Sequence, residues 1–231
     1  MEETKKQKEE SRKDKTQRAH RSCTDKRLSD IWYPPSLRLG LREHMTTEER
    51  EILVGLDQIL RSEKVRTLIR PVVKRVHARL SRETGALMAW EPMPLTIYGG
   101  TLPGAIKSSW AFVLRAGANT GAERHPNSHQ RMMSFQGSGD MQVQPESSKT
   151  RGQRTEVGDA WQSNMLISDS NAPLEKRWIS IPQNVWHRPV VGAEADWTVV
   201  SFHTVPAEEL IEEKQDESSQ DGTKQMKYLE K

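Results

Sequence analysis

The sequence predicts a mainly β barrel or double-sheet domain preceded by two α-helices. Three observations carry that expectation. From Gly85 onward, short apolar runs rich in Trp and β-branched residues are separated by Pro and Gly turn signals. No helical periodicity intervenes between those runs, which excludes a βαβ alternation. The sustained 3.6-residue patterns all lie ahead of that region.

Taken in order, residues 1–30 form a charged tail with Leu28 as its only large aliphatic, too poor in apolar surface to fold, so disorder is expected. Residues 31–88 hold a strap and a helical segment. Ile31-Trp32-Tyr33-Pro34-Pro35 reads as extended because of its two prolines. Thr46 with Glu49 is a capping-box signature, and Ile52, Leu53, Leu56, Ile59 and Leu60 predict a helix over about 47–62. Val65, Leu68, Ile69, Val72, Val73, Val76 and Leu80 predict a second helix, which Pro71 should kink or begin.

The barrel is expected over 89–206, with strands at 95–98, 110–115, 131–136, 140–143, 160–167, 177–181, 188–191 and 197–203. A mobile loop is expected between Gln144 and Val157, where Pro, Ser, Lys, Arg and Gly occur without periodicity. Residues 207–231 read as a short amphipathic helix, Ala207 to Lys214, followed by a disordered polar tail.

Composition narrows the function classes. A net charge of +3 over 231 residues bears on solubility more than on partners. The tail interleaves opposite charges without aromatics, so no nucleic-acid partner is expected. Cys23 is the only cysteine, so no intrachain disulfide can form, which fits a reducing compartment. There is no apolar signal core and no stretch of membrane-spanning length, and a soluble cytoplasmic protein is the expectation.

Two segments concentrate the chemistry. Gly117-Ala-Asn-Thr-Gly-Ala-Glu123-Arg-His125-Pro-Asn-Ser-His129-Gln130 runs on to Gly137, and Ile181-Pro182-Gln-Asn184-Val-Trp186-His187 follows about fifty residues later. They place His, Glu and Gln beside strand and turn signals, as a barrel needs in order to bring polar ligands from two strands to one point.

This pattern resembles the cupin superfamily. Its first motif is Gly, five residues, His-x-His, three or four residues, Glu, six residues, Gly. Here Gly117 is followed by five residues, Glu123-x-His125, four residues, Gln130, six residues and Gly137. Its second motif, Pro-x-Gly-x-x-His, is similar to Pro182-x-Asn184-x-x-His187, with Asn at the position that wants a left-handed backbone. Glu123 replaces the family's first His and Gln130 its Glu.

The resemblance covers about residues 90–205. It implies a cupin-like double-stranded β-helix, or jelly-roll barrel, with metal held by Glu123, His125 and His187 and Gln130 as a weak neutral fourth ligand. Two imidazoles and a carboxylate suit Fe(II), and would accept Mn, Ni or Zn. His129 is the second-choice ligand. On an extended segment it lies about 13 Å from His125 unless Pro126-Asn127 turns the chain. The implied activity is a mononuclear non-haem iron dioxygenase acting on a small-molecule substrate, and the implied assembly is a homodimer. A metal-dependent lyase or isomerase, or a non-catalytic sensing domain, would use the same residues.

Other candidates read as packing. His203 fits an inward position or a solvated strand end, with the latter favoured. Arg131 and Arg188 should point away from the pocket by alternation. His20, His44 and His77 take surface or packing roles. Trp186 is the aromatic best placed to wall a pocket, and Tyr98 offers a phenol of unassigned position.

Overall fold

A computed structural model describes residues 45–100, 102–144, 161–216 and 222–230. The charged tail, the strap, His20, Cys23, His44 and residues 145–157 of the expected loop lie outside them.

Both helices form where their periodicity places them. Thr46 caps α1 (Thr47–Arg61), its hydroxyl accepting from the Glu49 N–H at 3.1 Å. The Glu49 side chain does not close the capping box, because it is drawn instead to Arg131 and Ser180. After Ser62 the chain enters α2 (Glu63–Arg82). Pro71 neither begins this helix nor breaks it, lying in its interior. Leu53, Leu56 and Leu60 of α1 and Val65, Ile69, Val72, Val73, Val76 and Leu80 of α2 are buried. Leu68, assigned to that apolar face by periodicity, is 46% exposed.

The strands are β1 (Met88–Met93), β2 (Ser108–Leu114), β3 (Glu123–Arg124), β4 (Gln130–Gln136), β5 (Ser138–Val143), β6 (Met165–Ile167), β7 (Trp178–Ile181), β8 (His187–Val190), β9 (Trp197–His203), β10 (Ile211–Gln215) and β11 (Thr223–Lys227). They make two antiparallel sheets. One runs β1-β2-β9-β4-β7 and the other β11-β10-β3-β8-β5-β6. The fold is therefore mainly β, a sandwich of two antiparallel sheets preceded by two helices.

Register explains the layering. Across the five-stranded sheet, Trp110, Ser201, Met132 and Ile179 are aligned, as are Ser108, His203, Gln130 and Ile181. This face packs with Met141, Val143 and Leu166 of the other sheet into one core. The alternate residues Ala111, Val113, Met133, Trp178, Val200 and Phe202 pack with α1 and α2 into a second. A sheet covered on both faces has no solvated side, which is why β2 and β9 are buried along their whole length.

Three expectations are corrected. Leu95–Tyr98 is a 3-10 turn rather than a strand, closed by Gly99 and Gly100 at φ 75° and 79°. The helix expected over Ala207–Lys214 is a single 3-10 turn, Ala207–Glu209, followed by β10. The polar tail expected to be disordered contains β11, which pairs with β10, and Tyr228 beyond it is 2% exposed. Pairing with β3 on one side and β11 on the other overrides the poor strand propensity of Glu212, Glu213, Lys214 and Gln215.

A buried ion pair joins α1 to the five-stranded sheet. Asp57 accepts from the Arg177 guanidinium and, at 2.9 Å, from Trp178 Nε1. Among the described residues, no helix is long and apolar enough to cross a membrane.

Candidate metal centre

The centre is assembled on the inner face of the six-stranded sheet. Glu123 of β3 lies directly across from His187 of β8. His125 follows β3, where the chain leaves the sheet. The loop after β7 is tied to this point because the Asn184 N–H donates to the His125 carbonyl at 3.1 Å. Asn184 takes φ 64°, the left-handed conformation expected at that position. Gly117 and Gly137, which frame the first segment, also take positive φ. At Gly137 a side chain would meet the Asp196 carbonyl at 2.7 Å.

Glu123, His125 and His187 are all buried, and one ligand atom from each lies within 4.8 Å of the others. Two donors bonded at about 2.1 Å to a common ion stand at most about 4.2 Å apart, so the trio is close to ligating geometry. His187 Nε2 is 3.7 Å from Glu123 Oε1.

Each imidazole is fixed through its other nitrogen. His187 Nδ1 donates to the Val185 carbonyl at 3.0 Å, and His125 Nδ1 donates to the Ile211 carbonyl at 3.0 Å. A carbonyl can only accept, so Nδ1 must carry the proton and Nε2 of the neutral ring the lone pair. His187 Nε2 and Glu123 Oε2 are buried without a hydrogen-bond partner. Leaving such atoms unpaired is costly unless something binds there. A divalent cation meets that requirement, and the residues present fit one.

Gln130 enters from the facing sheet, its Cα paired with His203. Its Oε1 is likewise buried without a partner. His203 is 1% exposed and turned inward, which corrects the solvated strand end favoured for it. Its ring centroid is 5.0 Å from that of His125, and its ring nitrogens approach Ser128 Oγ at 3.3 Å and Ser201 Oγ at 3.4 Å. Burial, reinforced by the neighbouring histidines His125, His187 and His129, holds its pKa well below the ordinary value of 6.5. It is a neutral hydrogen-bonding wall of the centre.

His129 is not part of the trio. Its Nε2 lies 2.6 Å from Ser180 Oγ and 3.6 Å from Glu49 Oε1, in a network that also holds Arg131. Trp186 lies under the Arg124 guanidinium at 4.7 Å. Tyr98 is buried in the core against α2, its hydroxyl 2.7 Å from Ser109 Oγ. Burial raises that phenol's pKa. Arg131 and Arg188 point away from the centre, as alternation requires, toward Glu49 and Gln142.

Sequence reasoning missed the contribution of the C-terminal strands. Alternation on β10 turns Glu212 and Lys214 to the Glu123 side and leaves Glu213 to pair with Arg124 on the other. Lys214 Nζ is 3.5 Å from Glu212 Oε1 and 4.0 Å from Glu123 Oε2. Tyr228 packs among Trp90, Trp110 and Phe112. Burial first, then the charges of Glu123 and Glu212, keeps its phenol protonated. Once β10 is known to be a strand, its Ile-Glu-Glu-Lys alternation is the signal that would have found Glu212 and Lys214.

No protein-family model and no curated protein matches the chain. Solved structures do. An oxalate oxidase in complex with the substrate analogue glycolate is similar at 13% identity and a TM-score of 0.37, over 52% of each chain. The coconut allergen cocosin matches at 16% identity and a TM-score of 0.38, over 55% of this chain and 28% of that one. A Lactobacillus farciminis oxalate decarboxylase formate complex matches at 11% identity and a TM-score of 0.37, over 52% and 29%. The match thus spans about half the length of the oxalate oxidase chain.

Proposed function

We propose that this chain is a metal-dependent cupin-type enzyme acting on a small organic molecule, and that its reaction is dioxygenation at a mononuclear non-haem iron. The observation that supports this reading is the preset trio. Two histidines are locked through Nδ1 so that Nε2 is the ligating atom, and a buried carboxylate stands beside them with no hydrogen bond to Oε2.

Glu123, His125 and His187 would hold the ion, and Gln130 would be a neutral fourth ligand. A set of two imidazoles and one carboxylate leaves coordination positions open, and bound Fe(II) supplies Lewis acidity and electron exchange with O₂. The protein's own part is positional. The Val185 and Ile211 carbonyls fix the two rings, His203 and its serine partners form a polar wall, and the aromatic cluster of Trp90, Trp110, Phe112 and Tyr228 keeps the interior dry.

The test is anaerobic loading with Fe(II), then O₂ uptake measured across a panel of small organic acids and phenols. Substrate-dependent uptake that disappears in His187→Ala is the expected result. Stoichiometric iron with no uptake, together with turnover under anaerobic conditions, would make the protein a lyase or isomerase. Absence of stoichiometric metal after reconstitution would sink the enzyme reading.

A further inference from the structure

The structure assigns a second binding site, where the edge strands β6 and β7 meet the start of α1, for an uncharged one-ring molecule that carries a hydrogen-bond donor. The site shares no residue with the metal centre and does not depend on that reading.

β7 ends one sheet and β6 ends the other, so no strand pairing bridges the two sheets along this side. A cavity of about 270 Å³ lies there. Met45, Leu166, Trp178, Ile179 and Pro182 form its apolar wall, and Glu49, His129, Asn164 and Ser180 its polar one, with Thr46 and Glu175 beside them. A cavity of about 150 Å³ takes benzene, so this one has room for a ring with a short substituent. Apolar walls with a few convergent polar groups are the usual make-up of a small-molecule site.

The polar groups spend their protons within the protein. Ser180 Oγ lies 2.6 Å from Glu49 Oε1 and 2.6 Å from His129 Nε2. Glu49 receives two hydrogen bonds from Arg131, and as a carboxylate it can only accept, so the one hydroxyl proton of Ser180 goes to it. His129 Nε2 must then donate to Ser180, which leaves the lone pair of the neutral ring on Nδ1. That atom makes no hydrogen bond among the described residues and, unlike Gln130 Oε1, is not sealed from solvent; the His129 side chain is 25% exposed. Asn164 gives both Nδ2 protons to the Met141 and Gln162 carbonyls at 3.2 Å, and its Oδ1 is a further acceptor. The cluster is not a nucleophilic triad, because its carboxylate binds the serine and not Nδ1 of the histidine.

The wall therefore offers acceptors, and its charges are matched. Glu49 meets Arg131 at 2.6 Å and Glu175 faces Arg50 at 3.9 Å, so no unpaired charge is present in the wall to hold an ion. A ring packed on Trp178 and Ile179, with one O–H or N–H donated to His129 Nδ1, meets both halves of the cavity.

The experiment is equilibrium dialysis of the full chain after chelator treatment, at about pH 8, where an ordinary histidine is neutral. The probes are phenol beside its donor-free match fluorobenzene, benzyl alcohol beside ethylbenzene, and the ions benzoate and benzylammonium. At least one hydroxyl compound should bind about three- to ten-fold tighter than its match, and tighter than either ion. In His129→Phe that preference should vanish while the match still binds, and in Met45→Trp, which fills the cavity, every probe should weaken. The proposal is overturned if neither hydroxyl compound binds, if the matches bind equally well, if an ion binds tightest, if the preference survives in His129→Phe, or if Met45→Trp binds as wild type does. Should His129→Phe fail to fold, the matched pairs in wild type and in Met45→Trp decide the question.

Discussion

The two faces of the five-stranded sheet both lie against buried charge, and they treat it in opposite ways. On the helix side both oxygens of Glu49 and of Asp57 have donors. Glu49 Oε1 accepts from Arg131 Nε at 2.8 Å and Ser180 Oγ at 2.6 Å, and its Oε2 from Arg131 Nη2 at 2.6 Å. Asp57 is closed in the same way by Arg177 and Trp178. On the inner side, Glu123 Oε2, Gln130 Oε1 and His187 Nε2 are buried without hydrogen bonds. A network whose carboxylates are all met fixes one element against another, although Arg131 Nη1 within it is buried without a hydrogen bond. A cluster of open acceptors suits a cation, because its cost is recovered on binding.

The largest expected effect sharpens the contrast from the open side. His187→Ala should lower metal affinity by on the order of 100-fold or more, as equilibrium titration would show, since loss of a ligand exceeds loss of an outer-shell partner. In the metal-free protein it should cost no more than about 1–3 kcal/mol, for the Nδ1 bond to the Val185 carbonyl and the side-chain volume lost, because His187 Nε2 makes no hydrogen bond within the fold. A large drop in metal-free stability would mean that the trio is a structural network like the other two.

The closed side should respond the other way. Asp57→Ala leaves Arg177 as an unpaired buried charge and should cost about 3–5 kcal/mol in denaturant unfolding, with metal affinity unaltered. A cost near zero would show that this pair does not anchor α1.

Glu49 tests the same network through pH. Burial tends to raise its carboxyl, but hydrogen bonds from Arg131 and Ser180 and the charges of Arg131 and His129 outweigh that and hold the pKa below 4.5. A depressed folded pKa gives stability that is present above the unfolded value and lost as pH falls through the folded one. Wild type should therefore lose stability as pH drops below about 4.5, and Glu49→Gln should flatten that part of the curve. Superimposable acid limbs would contradict the assignment.

Two smaller effects follow from local geometry. A Cβ on Gly139 would meet the Trp197 ring at 2.2 Å, so Gly139→Ala should cost about 1–3 kcal/mol by overpacking between the sheets. Thr46→Ala removes the α1 cap and should cost about 1 kcal/mol, read from thermal unfolding.

The same division explains what the sequence made legible. The helices were readable because residues such as Leu53 and Ile69 recur at helical spacing toward one buried face, and the central strands because β2 and β9, covered on both faces, are short and largely apolar runs between turn signals. Glu123, His125 and His187 were readable through spacing, since the turn at Asn184 brings two distant segments together. What stayed hidden depended on tertiary pairing. β3 is two residues long, too short for any pattern. β10 and β11 are dominated by Glu, Lys and Gln, with Ile211 and Met226 their only large apolar residues, and Glu and Lys are depleted in strands. With β10 unseen, Glu212 and Lys214 had no face. His203 was ambiguous because β9 is buried on both sides, so alternation could not choose between them.

The central claim is that the inner face is an open ligand set built for one ion. Its most direct test is a metal titration of the full chain after chelator treatment, beside Glu123→Gln and His187→Ala, with bound metal measured by elemental analysis. A single divalent ion per chain in wild type, and loss of that ion in both variants, is the predicted result. No stoichiometric ion, or an ion retained undiminished in both variants, would contradict it.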